Sequence, residues 1–467
     1  MRRGQNAFHG WARPMSGKKT FARVAISPRP CTPPTPAGRG TGPSSAPRDF
    51  ADIAPWPRTM HQFARTSQRN AMPKSLQNPA PPIPPTVWML GIVSLLMDVS
   101  SEMINTLLPL WLAGGLGASA LAIGFIEGLS VAIATATRFL SGVFADWSRR
   151  AKPLAVLGYG LGALSRLIFP LAISIDQIVL AKALDRVGKG IRSTPRDAII
   201  AAVAPPQIRG ASFGLRKSLD TVGGFLGPLV AVGAMILLAG DIAAVFWIAA
   251  IPAALAMLVL VLAVHEPEPS RVAKRSGFRL ADAFRLNRAV WAVIGLAAII
   301  MLARFSEAFV LLKALEAGFA PTWVPLAMVV MHAAYGLTAW PVGRLSDRIG
   351  TAGLLSWSLV FLTIAHLTLA FAGTVWAYIL GTVFWGLHMG FSQGLLGAMI
   401  AAATPDAIRG SAFGTFNLVA GVVMLVGNTA AGWFWHSAGS QAPFLIGAGL
   451  SGIAMLWIAL RQRRFHL

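Results

Sequence analysis

Pro205-Pro206-Gln207-Ile208-Arg209-Gly210-Ala211-Ser212-Phe213-Gly214 returns 200 positions later as Pro405-Asp406-Ala407-Ile408-Arg409-Gly410-Ser411-Ala412-Phe413-Gly414. The match runs back through Ile200-Ala201-Ala202 and Ile400-Ala401-Ala402, and forward to Gly227 and Gly427. Gly142 and Asp146 answer Gly343 and Asp347 at an offset of 201, and Ser101-Glu102 answers Ser306-Glu307 at 205. A slowly drifting offset is what loop insertions leave in a duplicated chain. Two related halves follow.

The repeat lies in apolar sequence. Of 467 residues, 55% are hydrophobic and 12% are charged, against about 25% charged in soluble proteins. Such a chain cannot cover itself with a charged surface, so a lipid bilayer has to be part of its solvent. A span needs about 20 mostly apolar residues. Spans are expected near 87–112, 119–144, 153–174, 176–203, 210–238 and 243–264, and again near 288–314, 321–345, 352–372, 374–403, 410–435 and 442–461. The expected fold class is an all-α membrane protein, twelve transmembrane helices arranged as two pseudo-symmetric six-helix bundles.

Loop charges orient it. Arg149, Arg150, Lys152, Arg209, the 265–287 segment, Arg344, Arg348, Arg409, Arg461, Arg463 and Arg464 fall on one side with the basic N-terminal stretch. Connections near 113–118, 175, 239–242, 315–320, 373 and 436–441 hold no Lys or Arg. The positive-inside rule then places both termini in the cytoplasm of a cell with a bacterial-type inner (plasma) membrane. The domains expected are a first bundle over 87–264, a cytoplasmic linker over 265–287, a second bundle over 288–461 and a short tail over 462–467. Residues 1–86 are Pro-, Arg- and Ser-rich without helical or strand period, and are expected to be disordered. A true start at Met60 or Met72 would shorten this tail.

Several classes are excluded. Thirteen of the 40 Lys and Arg precede residue 87, and no soluble basic face remains for nucleic acid. The single cysteine, Cys31, builds neither a disulfide framework nor a Cys-based metal site. No nucleotide-binding loop or hydrolase signature is found, so no cofactor, no metal and no enzymatic activity are expected.

The motifs carry a resemblance. Gly142-Val143-Phe144-Ala145-Asp146-Trp147-Ser148-Arg149-Arg150 resembles the loop motif between spans 2 and 3 of the major facilitator superfamily, with Trp147 where the family has Arg and Arg149 where it has Gly. Gly343-Arg344-Leu345-Ser346-Asp347-Arg348-Ile349-Gly350 resembles its second-half copy and lacks the Arg pair. Arg186-Val187-Gly188-Lys189-Gly190 is similar to the family's span 4 motif. Gly214, Gly223, Gly227 and Pro228 resemble the span 5 pattern of its antiporters and exporters, with Ala231-Val232 in place of the closing Gly pair. The resemblance implies an alternating-access transporter of a small-molecule substrate, probed from either side of the membrane in turn. It implies that Asp146 latches the outward-facing state against the start of span 11, near Gly410. It also leaves a structural role for Asp146 open.

Ionisable groups inside a membrane are costly, at least about 2.5 kcal/mol each on insertion scales, so they face a cavity or pair. Asp98 and Glu102 share a face of span 1. Two neighbouring carboxylates in a poorly solvated place are what proton coupling needs, and Glu127 between Gly124 and Gly128 is a third candidate. Span 4 holds Lys182, Asp185, Arg186, Lys189, Arg192, Arg196 and Asp197, and span 5 answers with Arg216, Lys217 and Asp220. With Arg138 and Arg166, the embedded bases of the first half number nine against six acids. That surplus fits either an anionic or zwitterionic cargo or a plain ion-pair network. The second half offers Arg304 with Glu307, and His388, Gln393 and Asn417 as polar contacts. The expected function is proton-coupled secondary transport of a small organic solute by a monomer, with efflux or antiport favoured. Uptake of an organic anion is the alternative; a membrane sensor or membrane-embedded enzyme is the remote one.

Overall fold

The computed structural model describes residues 81–147, 151–266, 286–404 and 408–461. The first half contains α1 (Pro85–Leu110), α2 (Ala120–Trp147), α3 (Lys152–Ile168), α4 (Ile175–Val203), α5 (Arg209–Leu237) and α6 (Ile242–Ala263). The second contains α7 (Arg288–Ala303), α8 (Glu307–Glu316), α9 (Leu326–Ile349), α10 (Thr351–Ala370), α11 (Val375–Ala403), α12 (Arg409–Ala438) and α13 (Ala442–Arg461). No strand occurs among the described residues.

The repeat is visible in the caps. Ser174 accepts from the Gln177 N–H to start α4, and Thr374 accepts from the Ala377 N–H to start α11, 200 positions on. Both helices run for 29 residues, and α5 and α12 then begin at Arg209 and Arg409. The halves differ at the seventh passage. One continuous span is expected over 288–314, and the structure breaks it at 304–306 into α7 and α8.

Ten helical passages among the described residues are long and apolar enough to cross a membrane. Two further helices, α4 and α11, have the length, about 43 Å at 1.5 Å per residue, and exceed a hydrocarbon core of about 30 Å. α4 falls outside the ten because of its charges. α11 carries no charge but is diluted by His388, Ser392, Gln393 and glycines. Neighbours cover both: α4 packs on α3 and α2, and α11 on α10 and α9.

Apolar packing shows how the halves meet. One large core holds Leu107, Leu108, Phe169, Met235 and Phe246 from the first half together with Phe305, Phe309, Met328, Trp385 and Phe444 from the second. It lies toward the end that carries the connections 111–119, 238–241 and 317–325, called here the closed end. Toward the other end each half has its own core: Val87, Leu90, Tyr159, Ile199 and Leu260 in the first, and Val290, Leu296, Leu355, Ile400 and Ile458 in the second. The halves are therefore joined at one end and separate at the other.

The join is mainly α2 against α12, with α5 on α9 and α1 on α8 beside it. Along α2 the backbones touch. A Cβ added at Gly128 would stand 2.8 Å from Leu425 Cα, and one at Gly432 would stand 2.4 Å from the Ala120 carbonyl oxygen. Close approach through small residues is how helices gain packing energy in a bilayer, where lipid removes the hydrophobic drive. At Gly410, toward the separate end, a Cβ would meet nothing within 4 Å, and the same holds at Gly233 on α5.

These contacts set a contrast. Gly128→Ala forces two backbones apart and is expected to destabilise the purified protein by about 1–3 kcal/mol, read as a lower thermal midpoint. Gly233→Ala adds a methyl in open space within a helix and should hold or raise that midpoint, by up to about 1 kcal/mol.

Candidate functional site: a charged cavity between the halves

α1 lies along α5 because Gly223 and Gly227 let it. A Cβ at Gly223 would meet the Leu95 carbonyl at 2.7 Å, and one at Gly227 would meet Glu102 Cβ at 2.6 Å. Pro228 is buried within α5, whereas Gly214 faces open space. The span 5 pattern thus acts here as a groove that seats α1. It brings Asp98 against α5 one turn from Asp220, and Glu102 one turn further along.

Behind α1 the charges of α3 and α4 are paired. Arg166 is 1% exposed. Its guanidinium donates to Asp185 Oδ1 at 2.8 Å, Ser101 Oγ at 2.8 Å, Ser100 Oγ at 3.0 Å and Ser165 Oγ at 3.0 Å. Asp185 also lies 3.5 Å from Arg186. Arg192 stacks its guanidinium 4.7 Å from the centre of the Tyr159 ring. Further along α4, Arg196 pairs with Asp197 at 3.1 Å, and Arg216 pairs with Asp220 at 2.8 Å. Lys182 donates to Glu127 Oε1. Four of the six embedded acids are used in this way, and Arg138, Lys189, Arg192 and Lys217 have no acidic partner within 4.0 Å among the described residues.

Other charges reach a cavity of about 220 Å³ between the halves, and the first half supplies Glu102, Asn105, Glu127, Ser130, Arg186 and Lys189 to its wall. The second half supplies Ser306, Glu307, Leu311, Met328, Met424 and Asn428. Asn105 bridges two of these groups: it donates to Glu102 Oε1 at 3.2 Å and accepts from Arg186 at 3.1 Å. Glu307 takes Arg304 at 3.0 Å. Lys189 and Asp98 have no oppositely charged partner within 4.0 Å among the described residues. The first-half wall is therefore mostly polar and charged, and the facing wall mixes Ser306, Glu307 and Asn428 with Leu311 and two methionines.

Several sequence candidates lie elsewhere. His388 is fully buried between α10 and α11, with Nδ1 2.8 Å from Ser358 Oγ, and it is not part of the cavity wall. Gln393 is exposed on α11. Asp146, Asp347, Arg348 and Gly142 fall on α2 and α9, but their side chains lie outside the described residues, as do Arg149 and Arg150 altogether. Sequence reasoning missed Asn105, Ser306 and Asn428. The pattern Ser306-Glu307, a cap followed by an acid, is the signal that could have marked a helix start inside span 7.

The family model described as Major Facilitator Superfamily matches residues 90–331 and 308–466. The chain belongs to the major facilitator superfamily. It is 30% identical over 383 residues to an uncharacterized MFS-type transporter of Methanocaldococcus jannaschii, covering 80% of this chain and 94% of that one. A shorter likeness, 34% identity over 115 residues, links 25% of the chain to 28% of the class E tetracycline resistance protein of Escherichia coli. Among solved structures, the nucleoside transporter NupG shares the superfamily fold at a TM-score of 0.68 and 19% identity, over 80% of this chain and 98% of that one. The protein is a multi-pass membrane transporter of this superfamily and not an enzyme.

Pairing decides what substitution costs in this superfamily member. Asp185→Asn leaves the Arg166 charge buried without its countercharge, a loss of about 3–5 kcal/mol, and should yield little monodisperse protein. Glu307→Gln opens a half-exposed pair worth about 1 kcal/mol or less, and should leave yield and thermal midpoint near the parent.

Proposed function

We propose that the chain is a secondary active transporter that moves a small amphiphilic organic solute by alternating access, coupled to protons and working in the export or antiport direction. The observation that carries this reading is the cavity itself: ionisable side chains from α1, α2 and α4 face the second half across a space enclosed near the closed end. Unpaired charge within a membrane has a cost, and a transport pathway is the common reason to keep it. With both termini taken as cytoplasmic, the separate end faces inward, and the solute enters from that side.

Asp98 and Glu102 suit the coupling role. They sit one turn apart on α1, Asp98 has no ion partner among the described residues, and Glu102 holds only the Asn105 amide. Lys189, from α4, lines the same cavity as Glu102 and has no oppositely charged partner among the described residues. Export is favoured by the glycine groove of α5 and by the local likeness to tetracycline resistance proteins. The unpaired Lys189 in the cavity wall favours a second reading, uptake of an organic anion. On the proposed cycle, Asp146 would engage the start of α12 when the separate end closes.

Growth of a drug-sensitive bacterial strain expressing the chain, across a panel of toxic amphiphiles and organic-acid nutrients, separates the two directions. Protection against at least one toxic amphiphile is the expected result; improved growth on an organic acid without any protection would overturn export. With the solute so identified, Asp98→Asn and Glu102→Gln are expected to abolish gradient-driven transport in proteoliposomes and to spare counterflow. Proton-coupled accumulation persisting in both variants would remove the α1 pair from the mechanism.

A further inference from the structure

The seventh passage leaves its helix after Ala303 and restarts at Glu307. The intervening residues are Arg304, Phe305 and Ser306, so neither proline nor glycine imposes the break. A helix opened inside a membrane exposes backbone groups that water does not reach, and these need partners. Ser306 supplies or receives most of them. Its N–H donates to Asn428 Oδ1 on α12 at 2.7 Å, and its Oγ accepts from the Ala308 N–H at 3.2 Å as the cap of α8. The Ala303 carbonyl lies 3.0 Å from His366 Nε2.

The same Ser306 hydroxyl donates to Glu127 Oε2 on α2 at 3.2 Å. Glu127 belongs to the first half, and its other oxygen takes Lys182 from α4. One residue thus touches α12 of its own half and α2 of the other. It does so where those helices are closest, since a Cβ at Gly124 would stand 2.2 Å from the Asn428 carbonyl oxygen. Glu127, Ser306 and Asn428 all line the cavity.

We infer that Ser306 and Asn428 are positioning residues that hold the Glu127 carboxylate across the seam, so that this three-residue clasp keeps the closed end shut. Glu127 is then both cavity wall and gate contact. A cationic group of a bound solute that draws the carboxylate toward itself weakens the bond from Ser306, and filling the cavity loosens the closed end in the same step. Only the words wall and gate rest on the transporter reading; the clasp itself is a claim about the distance between two helices.

Spin–spin distance measurement tests it on the full chain in lipid nanodiscs, with Cys31→Ser as background and labels at Ser119→Cys and Ser437→Cys, exposed positions beside the closed-end termini of α2 and α12. Ser306→Ala and Asn428→Ala are each expected to raise the ratio of separated to closed molecules about fivefold, the worth of one hydrogen bond. Ser306→Thr, which keeps the hydroxyl, should return the parental distribution. Parental distances in both alanine variants, or Ser306→Thr behaving as Ser306→Ala, overturns the clasp. A protein that shows no counterflow but still opens in the alanine variants overturns the transporter reading and leaves the clasp standing.

Discussion

An ionised side chain taken into a bilayer needs its countercharge within reach, because the solvation it gives up is worth several kcal/mol. Arg166 shows the requirement met: four hydrogen bonds, one of them to Asp185, use four of the five N–H donors of a guanidinium that is 1% exposed. Everything around it follows from that demand. Ser100 and Ser101 on α1 have to face α3, which turns the next residue in sequence, Glu102, toward α5 and the cavity. Asp185 has to face α3, which turns Lys182, Arg186 and Lys189 of the same helix toward α2 and the cavity. The first half is thus organised from its buried pair outward, and the cavity inherits the groups left over.

Among the described residues the second half has no such pair at its centre. Its interior is aromatic, with Phe305, Phe309, His366, Trp385 and Phe444 packed at 5.3–5.7 Å along the closed end, edge to face except for the tilted Phe305–His366 pair. Edge-to-face packing of this kind contributes about 0.5–1.5 kcal/mol per pair beyond the area it buries. The aromatic block also contains Phe305, the middle residue of the break between α7 and α8. A rigid block on one side and an open helix end on the other fix where Ser306 points. The asymmetry between charged and aromatic halves is therefore also what lets one half present a hydroxyl to a carboxylate of the other.

Much of this was legible in the sequence. The offset of 200 between Pro205–Gly214 and Pro405–Gly414 became two helix pairs that begin at Ile175 and Val375 and at Arg209 and Arg409. Period and hydropathy located the passages because a span has a minimum length. The spacing of Asp98 and Glu102 placed them on one face, and the glycines of α5 announced a close neighbour. What stayed hidden depends on contacts between distant segments. Nothing local marks Asn428 as the acceptor for Ser306, since the two are 122 positions apart and each looks like an ordinary polar residue in a helix. The basic surplus in the first half could not be apportioned from sequence, because Arg186 and Lys189 differ in partners and not in pattern. His388 had the composition of a cavity residue, with glycines and aromatics around it, and the structure spends the glycines on packing α11 against α9 and the aromatics on packing it against α10.

The cavity wall then divides between the halves in a way that bears on alternating access. Most of the charged groups belong to α1, α2 and α4 and one, Glu307, to α8; the ion pairs they make lie within their own half and are kept when the halves move. The amide of Asn428, the Ser306 hydroxyl and the apolar Leu311, Met328 and Met424 belong to the second half, and their contacts with the first are a few hydrogen bonds and van der Waals surface. Strong interactions are thus internal to each rigid unit and weak ones bridge them. A machine that must open at one end and close at the other needs that ordering, because each bridging contact broken costs about 1 kcal/mol while each buried pair broken would cost several times more. The glycine seam of α2 and α12 fits the same logic: it is close enough to exclude lipid, yet it holds no ion pair that would have to be torn apart when the two helices part.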